Sequence, residues 1–177
     1  MRPDPFGEQW FSAASQSALQ KLAWSVQHLS GAIIEVGCWT GRSTVALARA
    51  VDPETVHAVD TWAGSPGEIS SELAAERDVF AQFARNIQNM TNGNVHAHRL
   101  GWREFFKVFD GPTKFCHIDA EHSYLEVAEN IEAVLPLMVP GGVLCGDDAH
   151  HGPVMSAVMD TLGSCAREAS LWVWRAP

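Results

Sequence analysis

The sequence predicts a doubly wound α/β fold built around a mostly parallel sheet. Short apolar runs of strand composition alternate with longer segments of helical periodicity almost from end to end of the 177 residues. Strands separated by helices are joined by right-handed crossovers, which place helices on both faces of a parallel sheet. Because domains usually contain about 100–200 residues, the length indicates one domain over residues 1–177.

Six segments have the composition of buried strands. Each is short and apolar, and turn-forming residues bound most of them. Polar residues gather where four of these strands end, which is the edge of a parallel sheet at which ligands bind. The predicted strands span residues 32–36, 55–60, 95–100, 114–119, 143–147 and 171–175.

The segments between these strands predict six helices. In the first, Leu19, Leu22 and Val26 share one face. Ser123 and Glu126 form a capping box at the start of the fifth. We interpret residues 1–30 as an N-terminal helical cap on the domain. The predicted helices span about residues 12–29, 43–50, 71–90, 103–108, 123–136 and 154–162.

Composition argues against two classes of partner. Twelve Lys and Arg against 21 Asp and Glu give a formal net charge of -9. Such a chain lacks the basic surface that binds nucleic acid, and an anionic membrane would repel it. The first ten residues lack the features of a secretory signal, and the four cysteines form no C-x-x-C pair. We therefore expect a reduced, cytoplasmic setting.

A glycine-containing loop follows the first predicted strand. Gly37 and Gly41 allow the backbone to approach a ligand closely, and the helix that follows offers free N–H groups. Asp60 ends the second strand, about 20 residues further on, from where a carboxylate can bind both hydroxyls of a ribose. These features indicate a nucleoside-containing cofactor. The alternative is a tight strand-to-helix turn in which Asp60 caps the helix.

Acidic residues follow the fourth and fifth predicted strands. Asp119 ends one strand, Asp147 and Asp148 end the next, and all three should lie close together. Adjacent carboxylates repel one another unless a proton or a cation neutralises them, and oxygen ligands suit Mg²⁺, Ca²⁺ or Mn²⁺. We expect a divalent ion here, with Glu121 or His122 as the base for a substrate hydroxyl. The alternative is that Asp119 and Asp147 cap helices.

Three of the seven tryptophans lie at predicted strand ends. Trp39 is in the glycine loop, Trp62 follows Asp60, and Trp102 follows the third strand. Aromatic side chains commonly line cofactor pockets, so each is a candidate pocket residue. The alternative for each is ordinary packing in the core.

The order of these motifs resembles that of class I S-adenosylmethionine-dependent methyltransferases. The segments that carry the resemblance are residues 33–43, 56–62, 117–124, 137–142 and 146–148. Within that superfamily, D-A-E-H-S-Y followed by G-D-D is similar to metal-dependent O-methyltransferases that modify sugars of macrolide and aminocoumarin antibiotics. The resemblance implies a Rossmann-like, seven-stranded sheet, S-adenosylmethionine as cofactor and a divalent metal, Mg²⁺.

The resemblance also implies a role for each motif. The glycine loop would hold the methionine part of the cofactor, and Asp60 would hold the ribose. Gly101-Trp102-Arg103 replaces the Gly-Asp-Ser or Gly-Asp-Ala that usually contacts adenine, so we expect Trp102 to stack there. The implied metal ligands are Asp119, Asp147 and Asp148. The implied cofactor-binding residues are Glu35, Gly37, Trp39, Gly41, Ser43, Asp60, Trp62, Trp102 and Asp119.

Methyl transfer to a hydroxyl of a small molecule, of sugar or phenolic type, is the expected function. The first helix and residues 61–72 are the segments free to act as a lid. Two alternatives stay open, a dinucleotide-dependent oxidoreductase and a non-catalytic nucleoside-binding domain. The absence of G-x-G-x-x-G counts against the first, and the acidic cluster counts against the second. Assembly into a homodimer also stays open.

Overall fold

The computed structural model of the protein describes residues 4–177, so residues 1–3 of the predicted domain and cap lie outside the described residues. Helices and strands alternate along most of the described chain, except that α3 is followed by α4 and β6 by β7. The strands are β1 (Ala32–Val36), β2 (Val56–Asp60), β3 (Val95–Arg99), β4 (Thr113–Ile118), β5 (Met138–Gly146), β6 (Ala166–Glu168) and β7 (Leu171–Arg175). The helices are α1 (Ala13–Ser25), α2 (Arg42–Val51), α3 (Ile69–Glu76), α4 (Val79–Met90), α5 (Trp102–Val108), α6 (Tyr124–Val134) and α7 (Gly152–Leu162).

The seven strands form one sheet in the order β3-β2-β1-β4-β5-β7-β6. Strands β1 to β5 pair in parallel, whereas β7 pairs antiparallel with both β5 and β6. The strand order reverses between β1 and β4, which opens a crevice outside their carboxyl ends. The predicted fold class, a mostly parallel seven-stranded Rossmann-like sheet, is confirmed. None of the described helices is long and apolar enough to cross a membrane.

Two apolar layers cover the faces of the sheet. On one face, Leu19 of α1 and Leu47 of α2 pack against strand residues such as Phe115. On the other face, Ile131 of α6 and Val158 of α7 pack in the same way. All five side chains are buried. A fully buried side chain of this size contributes about 1.5–3 kcal/mol, so these layers hold the strand ends in fixed positions.

Three predicted helices differ from those in the structure. The first ends at Ser25 rather than near residue 29. The helix predicted over residues 71–90 is two helices, because Arg77 is extended and Asp78 caps α4 by accepting a hydrogen bond from the Ala81 amide. The capping box at α6 is half formed. Ser123 accepts from the Glu126 amide, but the Glu126 carboxylate pairs with a residue of α5 instead.

Two strands also differ from the prediction. β5 begins at Met138, because that residue pairs with Thr113 before a register shift resumes regular pairing at Val143. Gly141, with φ +78°, lies in the irregular stretch between. β6 has only three residues, all exposed, and no apolar pattern marks it in the sequence.

Three histidines share one face of the sheet at its β3 edge, and we call them the histidine cluster. His57 pairs in register with His96, and its Nδ1 lies 3.0 Å from Nε2 of His98. The ring of Phe105 in α5 packs edge-on against His98, with centroids 4.9 Å apart. Burial, and then the neighbouring His96, lower the pKa of His57. Burial and the neighbouring histidines lower the pKa of His98 to about 4.

The histidine cluster predicts a loss of stability in acid. An unfolded histidine has a pKa of about 6.5, so between that pH and about 4 the unfolded chain takes up a proton that folded His98 does not. The free energy of unfolding of the wild-type protein should therefore fall more between pH 7 and pH 5 than that of His98→Gln. Urea denaturation at both pH values measures this difference.

The control for this comparison is His28→Gln, which replaces an exposed histidine outside the cluster. It should keep the wild-type dependence on pH. Equal pH dependence in His98→Gln and the wild-type protein would contradict the prediction.

Candidate functional site

A cavity of about 690 Å³ opens at the carboxyl ends of β1, β2, β4 and β5. It lies at the crevice where the strand order reverses, which is the ligand site of open α/β sheets. Most of the predicted site residues line it: Gly37, Trp39, Ser43, Asp60, Trp102, Asp119, Glu121, His122, Asp147 and Asp148. Three predicted residues, Glu35, Gly41 and Trp62, do not line it.

The glycine loop between β1 and α2 packs directly against the end of β4. A Cβ at Gly37 would lie 2.0 Å from the carbonyl oxygen of Asp119, and the φ of +85° at Gly37 disfavours any other residue. The Gly37 amide donates to the Val59 carbonyl at 2.9 Å, and the Asp119 amide donates to the Val36 carbonyl at 2.8 Å. The loop is therefore bonded to the β2 side and in contact with the β4 side.

Asp60 fixes the conformation of this loop. Its Oδ2 accepts hydrogen bonds from the amides of Cys38 at 2.7 Å and Trp39 at 2.8 Å. Its Oδ1 accepts from the amide of Trp62 at 2.7 Å. Burial raises the pKa of Asp60, although these three N–H donors oppose the shift. The N-cap of α2 is Gly41, so the alternative that Asp60 caps this helix is wrong.

The tryptophans at the strand ends have different surroundings. Trp62 is buried against Phe80 and Phe83, with ring centroids 4.7 Å away in both cases, and its indole N–H donates to the Trp39 carbonyl at 2.7 Å. Trp39 lines the cavity, and its indole N–H donates to Glu8 at 3.0 Å. Both tryptophans have positive φ, 44° and 55°, a strained conformation that the surrounding packing and hydrogen bonds maintain. Trp62 thus supports the loop from the core.

Glu35 lies beneath the loop rather than at the cavity. Its fully buried carboxylate accepts a hydrogen bond from the Thr44 hydroxyl at 2.5 Å and lies 3.2 Å from Nδ1 of His117. Burial lowers the pKa of His117, but its hydrogen bond to Glu35 reverses that effect and the net shift is upward. Gly41 also has a structural position, since a Cβ there would lie 3.1 Å from the ring of Phe83.

At the predicted metal site, Asp119 and Asp148 form a compact group with His122. Ligand atoms of all three lie within 4.8 Å of one another. His122 lies between two carboxylates, with Nε2 2.8 Å from Asp148 and Nδ1 2.9 Å from Glu68. Burial and then the charge of Asp147 raise the pKa of Asp119 to about 7. The hydrogen bond to Asp148 raises the pKa of His122 to about 9, so the imidazolium partly balances the acidic charge.

The carboxylate of Asp147 accepts its hydrogen bond from a residue outside the group of Asp119, His122 and Asp148. Ser170 donates a hydrogen bond to its Oδ1, and the Ser170 hydroxyl lies 2.7 Å from that of Ser15. Asp147 is only 9% exposed, so its charge acts on Asp119 from the wall of the cavity. The geometric group of possible ligands therefore contains His122 in place of the predicted Asp147.

The two helices that follow β4 and β5 have other residues as their N-caps. Ser123 is the N-cap of α6, and His151 is the N-cap of α7. The alternative that Asp119 and Asp147 cap the following helices is therefore wrong. Glu121 also lines the cavity, and its carboxylate makes no hydrogen bond to the part of the chain that the structure describes.

Two cavity-lining segments contain residues that the sequence did not single out. Glu68, in the predicted lid segment, pairs with His122. The other segment precedes α1 and contributes Glu8, Trp10 and Phe11, whereas α1 itself does not line the cavity. Glu8 pairs with Arg77 at 2.6 Å, which ties this segment to the end of α3. The first helix is therefore not free to act as a lid, because α1 packs in the core. The sequence feature that could have indicated this segment is the aromatic pair Trp10-Phe11, two positions after Glu8.

Comparison with known proteins decides the family. A family model described as a methyltransferase domain matches residues 34–149, which is more than half of the chain. The chain belongs to this methyltransferase family. The methyltransferase is of the class I, S-adenosylmethionine-dependent type, as its motifs predict. This membership argues against the dinucleotide-dependent oxidoreductase. No curated protein sequence matches the chain.

Solved structures share the fold of this methyltransferase. The O-methyltransferase NovP is 19% identical with a TM-score of 0.66, and the match covers 91% of this chain and 78% of NovP. The O-methyltransferase TomG from Streptomyces achromogenes, in complex with S-adenosylmethionine, is 17% identical with a TM-score of 0.65 over 94% and 81% of the two chains. An O-methyltransferase from Bacillus cereus, in complex with S-adenosylhomocysteine, is 18% identical with a TM-score of 0.60 over 94% and 82%. At these identities the likeness shows the fold.

The close approach of the loop to β4 predicts a large effect of Gly37→Ala. The new Cβ cannot fit 2.0 Å from the Asp119 carbonyl oxygen, so the strand end must move. We expect the free energy of unfolding to fall by about 3–5 kcal/mol. Chemical denaturation measures this change.

Gly93→Ala is the matched control. Gly93 has a similar φ of +81°, but a Cβ there would meet no atom of residues 4–177 within 4 Å. Its cost should be the conformational one alone, about 1–2 kcal/mol. Equal losses in the two variants would show that the contact between loop and strand is unimportant.

Proposed function

We propose that the protein transfers the methyl group of S-adenosylmethionine to a hydroxyl of a small molecule of sugar or phenolic type, assisted by a divalent cation, Mg²⁺. The observation that supports this most is one of position. The glycine loop and the group of Asp119, His122 and Asp148 line the same cavity, and Gly37 is in direct contact with the backbone of Asp119. A cofactor on the loop would therefore lie beside an acceptor held at the carboxylates.

The loop and Asp60 are suited to the two ends of the cofactor. Residues 37–40, Arg42 and Ser43 line the cavity, and their backbone groups would hold the methionine part. In Asp60, Oδ2 already accepts two hydrogen bonds and Oδ1 accepts one, so Oδ1 retains capacity for a ribose hydroxyl. We assign Glu35 to the support of the loop, because Thr44 and His117 occupy its carboxylate.

Trp102 is the residue we propose for the adenine. It lines the cavity, and its indole N–H donates to Glu126 at 3.1 Å. The Arg103 guanidinium lies 4.2 Å from the ring centroid, so one face of the indole is already covered. A base would stack on the other face, which keeps Trp102 in the role that its position after β3 predicts.

The donor set fits a divalent cation. Two carboxylates and one imidazole lie within 4.8 Å of one another, and desolvation and the charge of Asp147 raise the pKa of half-buried Asp119 to about 7. A cation held by Asp119 and Asp148 would replace the positive charge that His122 now supplies. When bound, it would act as a Lewis acid that lowers the pKa of the acceptor hydroxyl.

The protein's own part in the reaction is alignment and proton transfer. The acceptor oxygen attacks the sulfonium methyl in line, so that an O–C bond forms as the S–C bond breaks and S-adenosylhomocysteine leaves. Glu121 is the better placed proton acceptor, because its carboxylate is not engaged with the described part of the chain. His122 is held on both nitrogens by Glu68 and Asp148, so it orients the site.

This function predicts a separation of binding from turnover. Asp60→Ala should weaken S-adenosylhomocysteine binding in calorimetry by about tenfold or more, because an anchor of both loop and ribose is lost.

Asp148→Asn should bind S-adenosylhomocysteine with a Kd near that of the wild-type protein. Its turnover of a panel of catechols and glycosides should fall by about 100-fold or more. Chelation of divalent ions should stop the wild-type reaction, and added Mg²⁺ should restore it.

Asp110→Asn, at an exposed position away from the cavity, is the matched control and should change neither quantity. Turnover that persists in Asp148→Asn, or in the presence of a chelator, would contradict the role of the metal. Cofactor binding without turnover of any acceptor in the panel would favour a non-catalytic nucleoside-binding domain.

A further inference from the structure

The histidine cluster lies apart from the cavity and takes no part in the proposed reaction. His57, His96 and His98 are on β2 and β3, and none of them lines the cavity. β3 is one of the two edge strands of the sheet, so one side of the cluster is open to solvent. His96 is exposed, whereas His57 and His98 are partly buried.

The sheet itself brings the three imidazoles together. His96 and His98 are two residues apart on one strand and therefore project from the same face. His57 joins them on that face because it pairs in register with His96. One ring nitrogen from each histidine lies within 4.8 Å of the other two. This convergence is fixed by backbone register rather than by flexible loops.

The distance between two of these ring nitrogens is close to that between ligands of a tetrahedrally coordinated metal ion. Zinc–nitrogen bonds of about 2.0–2.1 Å place two ligand nitrogens about 3.3 Å apart. Nδ1 of His57 and Nε2 of His98 are 3.0 Å apart, so these two already have nearly that separation. His96 is exposed, and its ring stacks on that of His98 with the centroids 4.4 Å apart.

Aromatic rings rather than charged side chains pack against the imidazoles from α5. The ring centroid of Phe109 lies 5.7 Å from that of His57, and the ring centroid of Phe105 lies 4.9 Å from that of His98. These rings contribute no charge that would compete with a metal ion for the histidine nitrogens.

We propose that His57, His96 and His98 form a binding site for one divalent transition metal ion of the kind that prefers imidazole, Zn²⁺, Ni²⁺, Co²⁺ or Cu²⁺. Nitrogen donors of this kind exclude Mg²⁺, which prefers oxygen ligands. Three protein ligands leave a fourth position for water on the open side. The ion would join the edge strand β3 to β2, so it would stabilise the folded protein.

Calorimetry with Ni²⁺ on tag-free protein, stripped of metal by a chelator and then dialysed, tests this site. The wild-type protein should bind Ni²⁺ at the histidine cluster. His96→Ala should raise the Kd by at least about tenfold, and since His96 is exposed this variant should fold normally. His98→Gln should have the same effect. Ni²⁺ at about 100 times the Kd should raise the melting temperature of the wild-type protein by about 5 °C or more.

Two control variants separate this site from the carboxylates in the cavity. Asp148→Asn removes a proposed ligand of the cavity metal and should retain Ni²⁺ binding at the histidine cluster. His28→Ala removes an exposed histidine elsewhere and should behave as the wild-type protein. The proposal is overturned if His96→Ala and His98→Gln bind Ni²⁺ as tightly as the wild-type protein. It is also overturned if Asp148→Asn abolishes all Ni²⁺ binding, or if the wild-type protein binds none.

Discussion

The carboxylate of Asp60 is the interaction on which the candidate site depends most. It accepts three backbone hydrogen bonds, two from the glycine loop and one from its own strand end. These bonds keep Trp39 and Trp62 at positive φ, and the Trp62 indole returns a hydrogen bond to the Trp39 carbonyl. With the loop held in this way, Gly37 can contact the β4 end, so cofactor loop and carboxylates share one cavity.

The site has an unfavourable concentration of negative charge, and the fold tolerates it through specific partners. Ser170 donates to Asp147, and His122 lies between Glu68 and Asp148. Among the residues that the structure describes, none donates a hydrogen bond to the Asp119 carboxylate, and burial and the nearby charge of Asp147 raise its pKa to about 7. Asp148 also has a positive φ of 58°. Strain and buried charge at one cavity are typical of a functional site that sacrifices stability.

Much of the fold follows from the sequence because its signals are local. Apolar strands, a glycine loop and acids at strand ends predict both the parallel sheet and the edge that carries the site. The sequence does not reveal the break between α3 and α4 at Asp78, because a single N-cap residue within a continuous helical pattern is a weak signal. The three-residue strand β6 has no apolar pattern, so only its pairing with β7 reveals it.

The finer features of the site depend on contacts between distant residues. Glu68 meets His122 across 54 positions of the chain, and no spacing rule connects them. Glu35 and Trp62 match the motif for cofactor contact, yet packing turns the first toward Thr44 and the second toward Phe83. Asp147 and Asp148 are adjacent in sequence but have different partners, because successive side chains leave a strand end in different directions.

The central claim is that the loop and the carboxylates place cofactor and metal side by side. Proton NMR of S-adenosylhomocysteine, in exchange with the protein and titrated with Mn²⁺, tests this most directly, because a paramagnetic ion broadens the resonances of nearby protons. The account predicts selective broadening of the protons nearest the sulfur, which disappears in Asp148→Asn. Bound S-adenosylhomocysteine whose resonances stay sharp at saturating Mn²⁺ would contradict the claim.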